Sequence, residues 1–401
     1  MKFICNYTEL LSGLEKVAIV AEDANSSEDI KNVIFRFEKQ DDNLNVCTLV
    51  GVNATITYKH ILAYDKYRLQ LEDDELTDRT CFMQIKCKEL LNFLNAYKSV
   101  RRTIVEEVTF EFKDKVQIKC SVLEYSNDDN KIPYVSSWLF NNIPIKPNML
   151  PSINAKPLNR PIDIDKDALR RHINTLLPII TGQTSIYSQL VFGNDYIVAF
   201  NNAFVALMKN TLIEGHIFEN MRLHYKVLAF LDKVICNQDE IKAAKSDTQI
   251  YIKTDKSEAY LTYDPRITEY ETYLNMYNKG SGFCVDRLLL KDVLKRLSLE
   301  NESIDVTLKP TLNVINVRNS KFTQDIPLLK EQGLENLEDF GFRIMPDILN
   351  RAFIGTDTAF SSNSYIYLAP QDSGVTTLIF MDDTDSWYSV ARVKNISKSK
   401  F

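Results

Sequence analysis

The apolar positions of this chain fall into a recurring quartet. In KFICNYTELLSGL, Phe3 and Cys5 alternate as in a strand, while Leu10 and Leu14, four apart, share one helix face. The segment reads as a short strand running straight into an amphipathic helix. The same offsets return at Met83, Ile85, Leu90 and Leu94, and at Ile162, Ile164, Leu169 and Ile173. They return again at Phe283, Val285, Leu290 and Leu294, and at Phe342, Ile344, Leu349 and Phe353. A weaker copy, MRLHYKVLAFLDKVI, begins near Met221 in an ambiguous register.

Short alternating or apolar runs follow each predicted helix, among them VIFRFEKQ, YIVAFNNAFVALM, IDVTLKPTLNVINV and SYIYLAPQDSGVTTLIFM. These are strand-and-hairpin signals. The chain therefore predicts six β-α-β-β-β-type repeats of about 60–80 residues, an α+β fold. One helix on a few antiparallel strands buries little by itself, so the repeats should pair into three domains, 1–150, 151–275 and 276–401. The joints carry linker chemistry. IPIKPNMLPSINAKPLNRP holds five prolines, and EYETYLNMYNKGSG lies before the fifth repeat.

Composition narrows the class. With 45% apolar and 25% charged residues, the 401-residue chain is an ordinary globular protein. No apolar run is long enough for a membrane-spanning helix, and the first residues mix charge into their pattern, unlike a signal peptide. Seven scattered Cys without a CxxC pair read as buried thiols of a reducing cytoplasm. Glycine is scarce, 11 residues in all, and no phosphate-loop spacing occurs.

A net charge of −6 would ordinarily point away from nucleic acid, but the charges are unevenly placed. The predicted helices, roughly 7–20, 88–102, 165–177, 222–235, 286–297 and 346–354, hold 16 basic against 9 acidic residues. The rest of the chain is strongly acidic. Basic positions off the apolar stripe are Lys98, Arg101 and Arg102 in the second helix and Lys166, Arg170 and Arg171 in the third. Lys226 and Lys233 follow in the fourth, and Arg287, Lys291, Lys295 and Arg296 in the fifth. Solvated helix faces explain such residues singly. A systematic array also suits sequence-independent contact with a phosphate backbone. The first and sixth helices add no net positive charge.

Three paired domains, six repeats and basic helices resemble the bacterial DNA polymerase III beta sliding clamp. MKFICNYTELLSGLEKV is similar to that family's opening, and YIVAFNNAFVALM to its Thr-Asp-Gly-His-Arg-Leu-Ala-type turn. AYLTYDPRITEYETYL is similar to its Phe-Pro-Asp-Tyr linker, and SWYSVARVKN to its closing strand. Asn201, Asn202, Ala203 and Phe204 replace the usual Asp-Gly-His-Arg, and Ala391, Arg392 and Val393 the terminal Met-Pro-Met. This divergence, with a Lys-, Asn-, Asp- and Tyr-rich composition, fits a phage-encoded member.

The resemblance implies a non-enzymatic ring of two head-to-tail subunits, helices lining the hole and antiparallel sheets outside. The ring would encircle double-stranded DNA and tether a DNA polymerase, with a clamp loader to open it. Clients would insert a short peptide motif into a pocket involving Tyr187, Phe200, Asn202, Val205, Tyr273, Val390 and Ala391. No cofactor or metal is implied, and the location would be cytoplasmic. The rival is a structural or scaffold protein that keeps the repeats without encircling DNA.

Catalytic chemistry is hard to find. The four His (His60, His172, His216 and His224) form no HExxH or Cys/His ligand spacing. His172, beside Arg170 and Arg171, is expected to face solvent or DNA. Asp163 and Asp165 read as helix-start chemistry, and Asp382, Asp383 and Asp385 as a hairpin turn without the Gly and closing Glu of a calcium loop.

Overall fold

The computed structural model describes residues 1–22, 31–39, 45–70, 80–98, 103–112, 115–125, 131–145, 149, 160–181, 188–201, 203–212, 217–265, 282–300, 302–332, 339–352, 363–370, 375–381 and 387–396. Six β-α-β-β-β repeats run through them. The first contains β1 (Lys2–Asn6), α1 (Tyr7–Ala21), β2 (Asn32–Lys39), β3 (Asn45–Val52) and β4 (Ile56–Ile61), plus an extra strand, β5 (Tyr67–Gln70). The second contains β6 (Thr80–Lys86), α2 (Cys87–Lys98), β7 (Thr103–Phe112), β8 (Lys115–Tyr125) and β9 (Lys131–Asn141). The third contains β10 (Ile162–Asp163), α3 (Lys166–Ile180), β11 (Gln189–Phe192), β12 (Tyr196–Phe200) and β13 (Phe204–Lys209).

The fourth repeat contains β14 (Met221–His224), α4 (Tyr225–Phe230), β15 (Lys242–Lys245), β16 (Gln249–Lys253) and β17 (Ser257–Thr262). The fifth contains β18 (Gly282–Asp286), α5 (Arg287–Leu297), β19 (Ile304–Lys309), β20 (Val314–Arg318) and β21 (Thr323–Gln332). The sixth contains β22 (Phe340–Ile344), α6 (Pro346–Ala352), β23 (Asn363–Pro370), β24 (Val375–Met381) and β25 (Trp387–Asn395).

Strand passes into helix with almost no loop because the junction residue caps the helix. Asn6 accepts from the N–H groups of Thr8 and Glu9, Asp165 from Asp167 and Ala168, His224 from Lys226, and Asp286 from Leu289. Asp165 is thus a cap, and Asp163 lies on β10 with Lys242 at 3.7 Å. The quartets supply the core. Phe3, Cys5, Leu10, Leu14, Ile85, Leu90, Leu94, Leu169, Ile173, Phe283, Val285, Leu290, Leu294, Phe342, Ile344 and Leu349 are all buried. Met83 and Ile164 are half-buried, and Phe353 lies outside the described residues. Ile162 departs from the pattern, 48% exposed on a two-residue strand. The fourth copy is ambiguous in sequence because its last quartet position falls on Asp232. There α4 widens into a π turn, Leu231–Ile235, which buries Leu231, Val234 and Ile235.

Repeats pair by exchanging first strands. β1 pairs with β7 and β6 with β2; β10 pairs with β15 and β14 with β11; β18 pairs with β23 and β22 with β19, all antiparallel. Each repeat lays its opening strand against the first strand after its partner's helix, so neither sheet is complete alone. The helices pack in the same pairs, α1 with α2, α3 with α4 and α5 with α6.

The chain forms two compact units, Met1–Ile164 with Lys233–Tyr263, and Asp165–Asp232 with Asp264–Phe401. The first holds a five-stranded sheet, β5-β1-β7-β8-β9, and an eight-stranded one, β10-β15-β16-β17-β4-β3-β2-β6. The second holds one twelve-stranded sheet. Within it the eight strands of repeats five and six close on themselves, because β18 also pairs with β21 and β22 with β25.

The last strands of the repeats follow a rule. That of repeat one, β4, pairs with that of repeat four, β17, over five residue pairs. That of repeat three, β13, pairs with that of repeat six, β25, over another five. Each final strand meets the one three repeats away. Repeats two and five are left over. Among the described residues, β9 pairs only with β8, and Thr323–Pro327 of β21 only with β20.

Burial shapes the titration of the first repeat. The His60 ring on β4 fills the notch beside Gly13 of α1, where a Cβ would lie 2.5 Å from the imidazole Cδ2. Burial first, then the nearby cations of Lys16 and Lys256, push the His60 pKa down to about 4. Tyr58 Oη lies 3.4 Å from its Nδ1. A folded pKa below the unfolded value of about 6.5 means stability is intact above pH 6.5 and lost as pH falls toward 4. The loss should approach about 3 kcal/mol. Urea unfolding of wild type and His60→Leu at pH 7 and pH 4.5 isolates it; equal acid losses in both would refute the assignment.

All seven Cys are free thiols; six are buried, and Cys81 is half-buried. Burial pushes the thiols of Cys87 and Cys120 up to about 12, so they are poor nucleophiles. No helix among the described residues is long and apolar enough to cross a membrane.

Candidate nucleic-acid interface and apolar docking patch

The helices α2, α3 and α5 each bury one stripe and leave most of their cations outside it. α3 buries Ala168, Leu169, Ile173, Leu176 and Ile179, while Arg170 and Arg171 are exposed and Lys166, in its first turn, is half-buried. α5 buries Leu290, Val293, Leu294 and Leu297 and exposes Lys291, Lys295 and Arg296; Arg287 is half-buried at its start. α2 buries Cys87, Leu90 and Leu94 and ends on exposed Lys98. Lys226 is half-buried in α4, and Lys233 is exposed on the π turn. Arg101 and Arg102 lie outside the described residues.

His172 corrects the sequence reading. It faces the core, fully buried, not solvent or DNA. The Thr211 backbone N–H donates to its Nε2 at 3.2 Å, and Nδ1 lies 3.5 Å from Met208 Sδ. A helix turns about 100° per residue, so a neighbour of two outward arginines can point inward.

The open faces of α1 and α6 add no cation. α1 presents Thr8, Ser12, Glu15 and Ile19, and α6 presents Asp347 and Asn350. Lys16 is half-buried, its pKa lowered by burial and by Lys256.

On one face of the twelve-stranded sheet, cross-strand register aligns an apolar row. Phe200 on β12 opposes Val205 on β13, which opposes Val390 on β25, then Ile379 on β24, then Tyr367 on β23. A second row joins Val191, Val198 and Leu207, with Met381 opposite Tyr365 on the far strands. Tyr365 and Tyr367 stack with ring centroids 6.4 Å apart. The partly buried Tyr196, Phe200, Val205, Tyr365 and Tyr367 pack over the buried members. Asn201 ties the β12–β13 turn, its Oδ1 accepting from the N–H groups of Ala203 and Phe204 at 2.8 and 2.9 Å.

The structure thus brings Phe200, Val205 and Val390 together. Ala391, one residue on, opposes Phe204 and points to the other face of the sheet. Tyr187, Asn202 and Tyr273 lie outside the described residues. Ile379, Met381, Tyr365 and Tyr367 are absent from the sequence-derived set. Their signal was the alternation in SYIYL and TTLIFM, which fixes a face only once the strand order is known. No group of three or more His, Cys, Asp or Glu among the described residues is placed to hold a metal ion; Asp382, Asp383 and Asp385 lie outside them.

No family model matches the sequence, and no curated protein does. Solved structures match along the whole chain. The DNA polymerase III subunit beta from Pseudomonas aeruginosa superposes with a TM-score of 0.71 at 15% identity, over 99% of this chain and 100% of that one. The DNA polymerase sliding clamp from Bacillus subtilis gives 0.72 at 12%, over 99% of both chains. The subunit beta from Borrelia burgdorferi, in complex with a natural product, gives 0.71 at 14%, over 99% and 98%. The fold is that of the bacterial sliding clamp. At such low identity the clamp fold is kept by patterning rather than by shared residues, as the repeating quartets require.

Proposed function

We propose that this chain is a DNA processivity clamp, a non-catalytic ring that encircles duplex DNA and tethers a polymerase. The pairing rule carries the reading. Final strands meet three repeats apart, one with four and three with six, so repeat five of one copy should meet repeat two of the next. That contact sets β21 against β9, head to tail, and a rotation that closes after two copies gives a ring rather than a filament.

Both strands suit the contact. β9 shows apolar side chains on its two faces, with Val135 65%, Trp138 60%, Leu139 56% and Ile132 51% exposed. Such a bare edge invites a partner strand. β9 and β21 each carry a proline, Pro133 and Pro327, a residue that sheets confine to edges. Three paired domains, 1–150, 151–275 and 276–401, would build each half of the ring. The basic faces of α2, α3, α4 and α5 would then turn toward the duplex.

Non-specific phosphate contacts have dissociation constants on the order of 10⁻⁴–10⁻⁶ M. A protein held by them alone would slide off. Topology supplies residence, and weak contacts leave sliding easy. Clients, including a polymerase and an ATP-driven loader, would dock short apolar peptide motifs on the patch around Phe200, Val205 and Val390. Tyr187, Asn202 and Tyr273 would complete it, in a protein working in the cytoplasm.

The deciding experiment uses circular nicked DNA. Loaded protein should stay on the circle through a moderate-salt wash and leave when the circle is linearised. Retention that ignores linearisation would favour a scaffold that binds DNA without enclosing it.

A further inference from the structure

Two of the three helix pairs set an acid of one helix against a cation of the other. Lys98 Nζ at the end of α2 lies 2.5 Å from Glu15 Oε1 on the open face of α1, the side chains 56% and 45% exposed. Arg170 Nε on α3, 45% exposed, lies 3.4 Å from Oδ1 of the half-buried Asp232 on the π turn after α4. The third pair differs. Among the described residues Lys295 and Arg296 of α5 have no acidic partner; Arg296 instead lies over the Phe322 ring, 5.8 Å from its centroid. The acid of α6, Asp347, is taken up within its own helix by Arg351 at 3.4 Å.

The Lys98–Glu15 pair is exposed on both sides, and exposed ion pairs add little to stability, so stability is a poor reason for its placement. We propose that Glu15 and Asp232 attenuate the grip on DNA: each holds a duplex-facing cation closed, leaving α5 as the main phosphate contact. The inference rests on the clamp reading, in which these faces meet the duplex. A phosphate approaching Lys98 must displace Glu15 or leave that carboxylate as an uncompensated like charge. Either course weakens the contact. Because residence comes from enclosure, a loosened grip favours movement along the helix without loss of the tether.

The test measures equilibrium binding to a short linear duplex with open ends, which a ring threads without a loader, across a salt series. Glu15→Gln and Asp232→Asn should each bind roughly threefold tighter or more and steepen the log K against log salt slope by up to about 0.9. The two act on separate helix pairs, so their effects should add. In a Lys98→Met background the gain from Glu15→Gln should shrink, and likewise that from Asp232→Asn in Arg170→Gln. Undiminished gains there would make the acids plain repulsive charges and overturn the pairing.

A Lys295→Gln/Arg296→Gln control separates the two levels of inference. If it weakens binding while the acid variants bind no tighter, attenuation is wrong and the clamp reading stands. If the control has no effect, the DNA-facing assignment itself fails.

Discussion

Substituting Val135 and Leu139 with glutamate should shift the proposed dimer, of twice 46.3 kDa, toward a well-folded monomer. Both side chains stand on the solvent face of β9, 65% and 56% exposed, so the isolated chain should lose little stability. A strand paired along β9 would lie beside these positions, so each carboxylate would replace an apolar cross-strand neighbour at a cost of up to about 1 kcal/mol. Association should weaken roughly tenfold to thirtyfold.

Sedimentation and fluorescence report this together. The protein has two tryptophans: Trp138, 60% exposed and 6.0 Å from the Phe93 ring, and Trp387, 1% exposed. Only Trp138 should shift its emission to the blue with rising protein concentration, and in the double variant that shift should need a higher concentration. A wild-type protein that stays monomeric at micromolar concentration, or a variant that dimerises as tightly as wild type, would defeat the head-to-tail assignment.

Replacing Arg171, Lys295 and Arg296 together with glutamine should weaken duplex binding roughly a hundredfold or more at moderate salt. The salt slope should flatten by about 2.7, near 0.9 for each cation. Arg171, Lys295 and Arg296 have no acidic partner among the described residues, so the whole charge of each is free for phosphate. The mass in solution should not change, because none of the three lies on β9 or β21. Arg296 also packs on Phe322, and an Arg296→Lys variant keeps the charge while removing the planar stacking. It should retain the slope. Binding and polymerase stimulation that stay level across the salt series in the triple variant would mean these helix faces do not meet DNA.

How much of this was legible in the sequence depends on whether a feature is local. Strand-to-helix junctions are local, so Phe3, Cys5, Leu10 and Leu14 announced the first repeat and their counterparts four of the others. The fourth repeat hid its register because Asp232 stands where an apolar residue was due and a π turn absorbs the mismatch. His172 is illegible from sequence because its neighbours along the chain, Arg170 and Arg171, are not its neighbours in space, which are Met208 and Thr211. The apolar rows were half legible. Phe200, Val205 and Val390 came from resemblance, but Ile379 and Tyr367 join them only through the order β13-β25-β24-β23, which no local pattern encodes. The pairing of final strands three repeats apart is still less local.

The exchange of opening strands has a consequence for synthesis on the ribosome. β1 cannot find its partner β7 until residues Thr103–Phe112 have emerged, roughly a hundred residues later. At about 5–20 residues per second the nascent amino-terminal strand waits on the order of 5–20 s with an edge uncovered. Chaperone capture or a slow codon run within that interval would therefore act on whether the first two repeats pair at all.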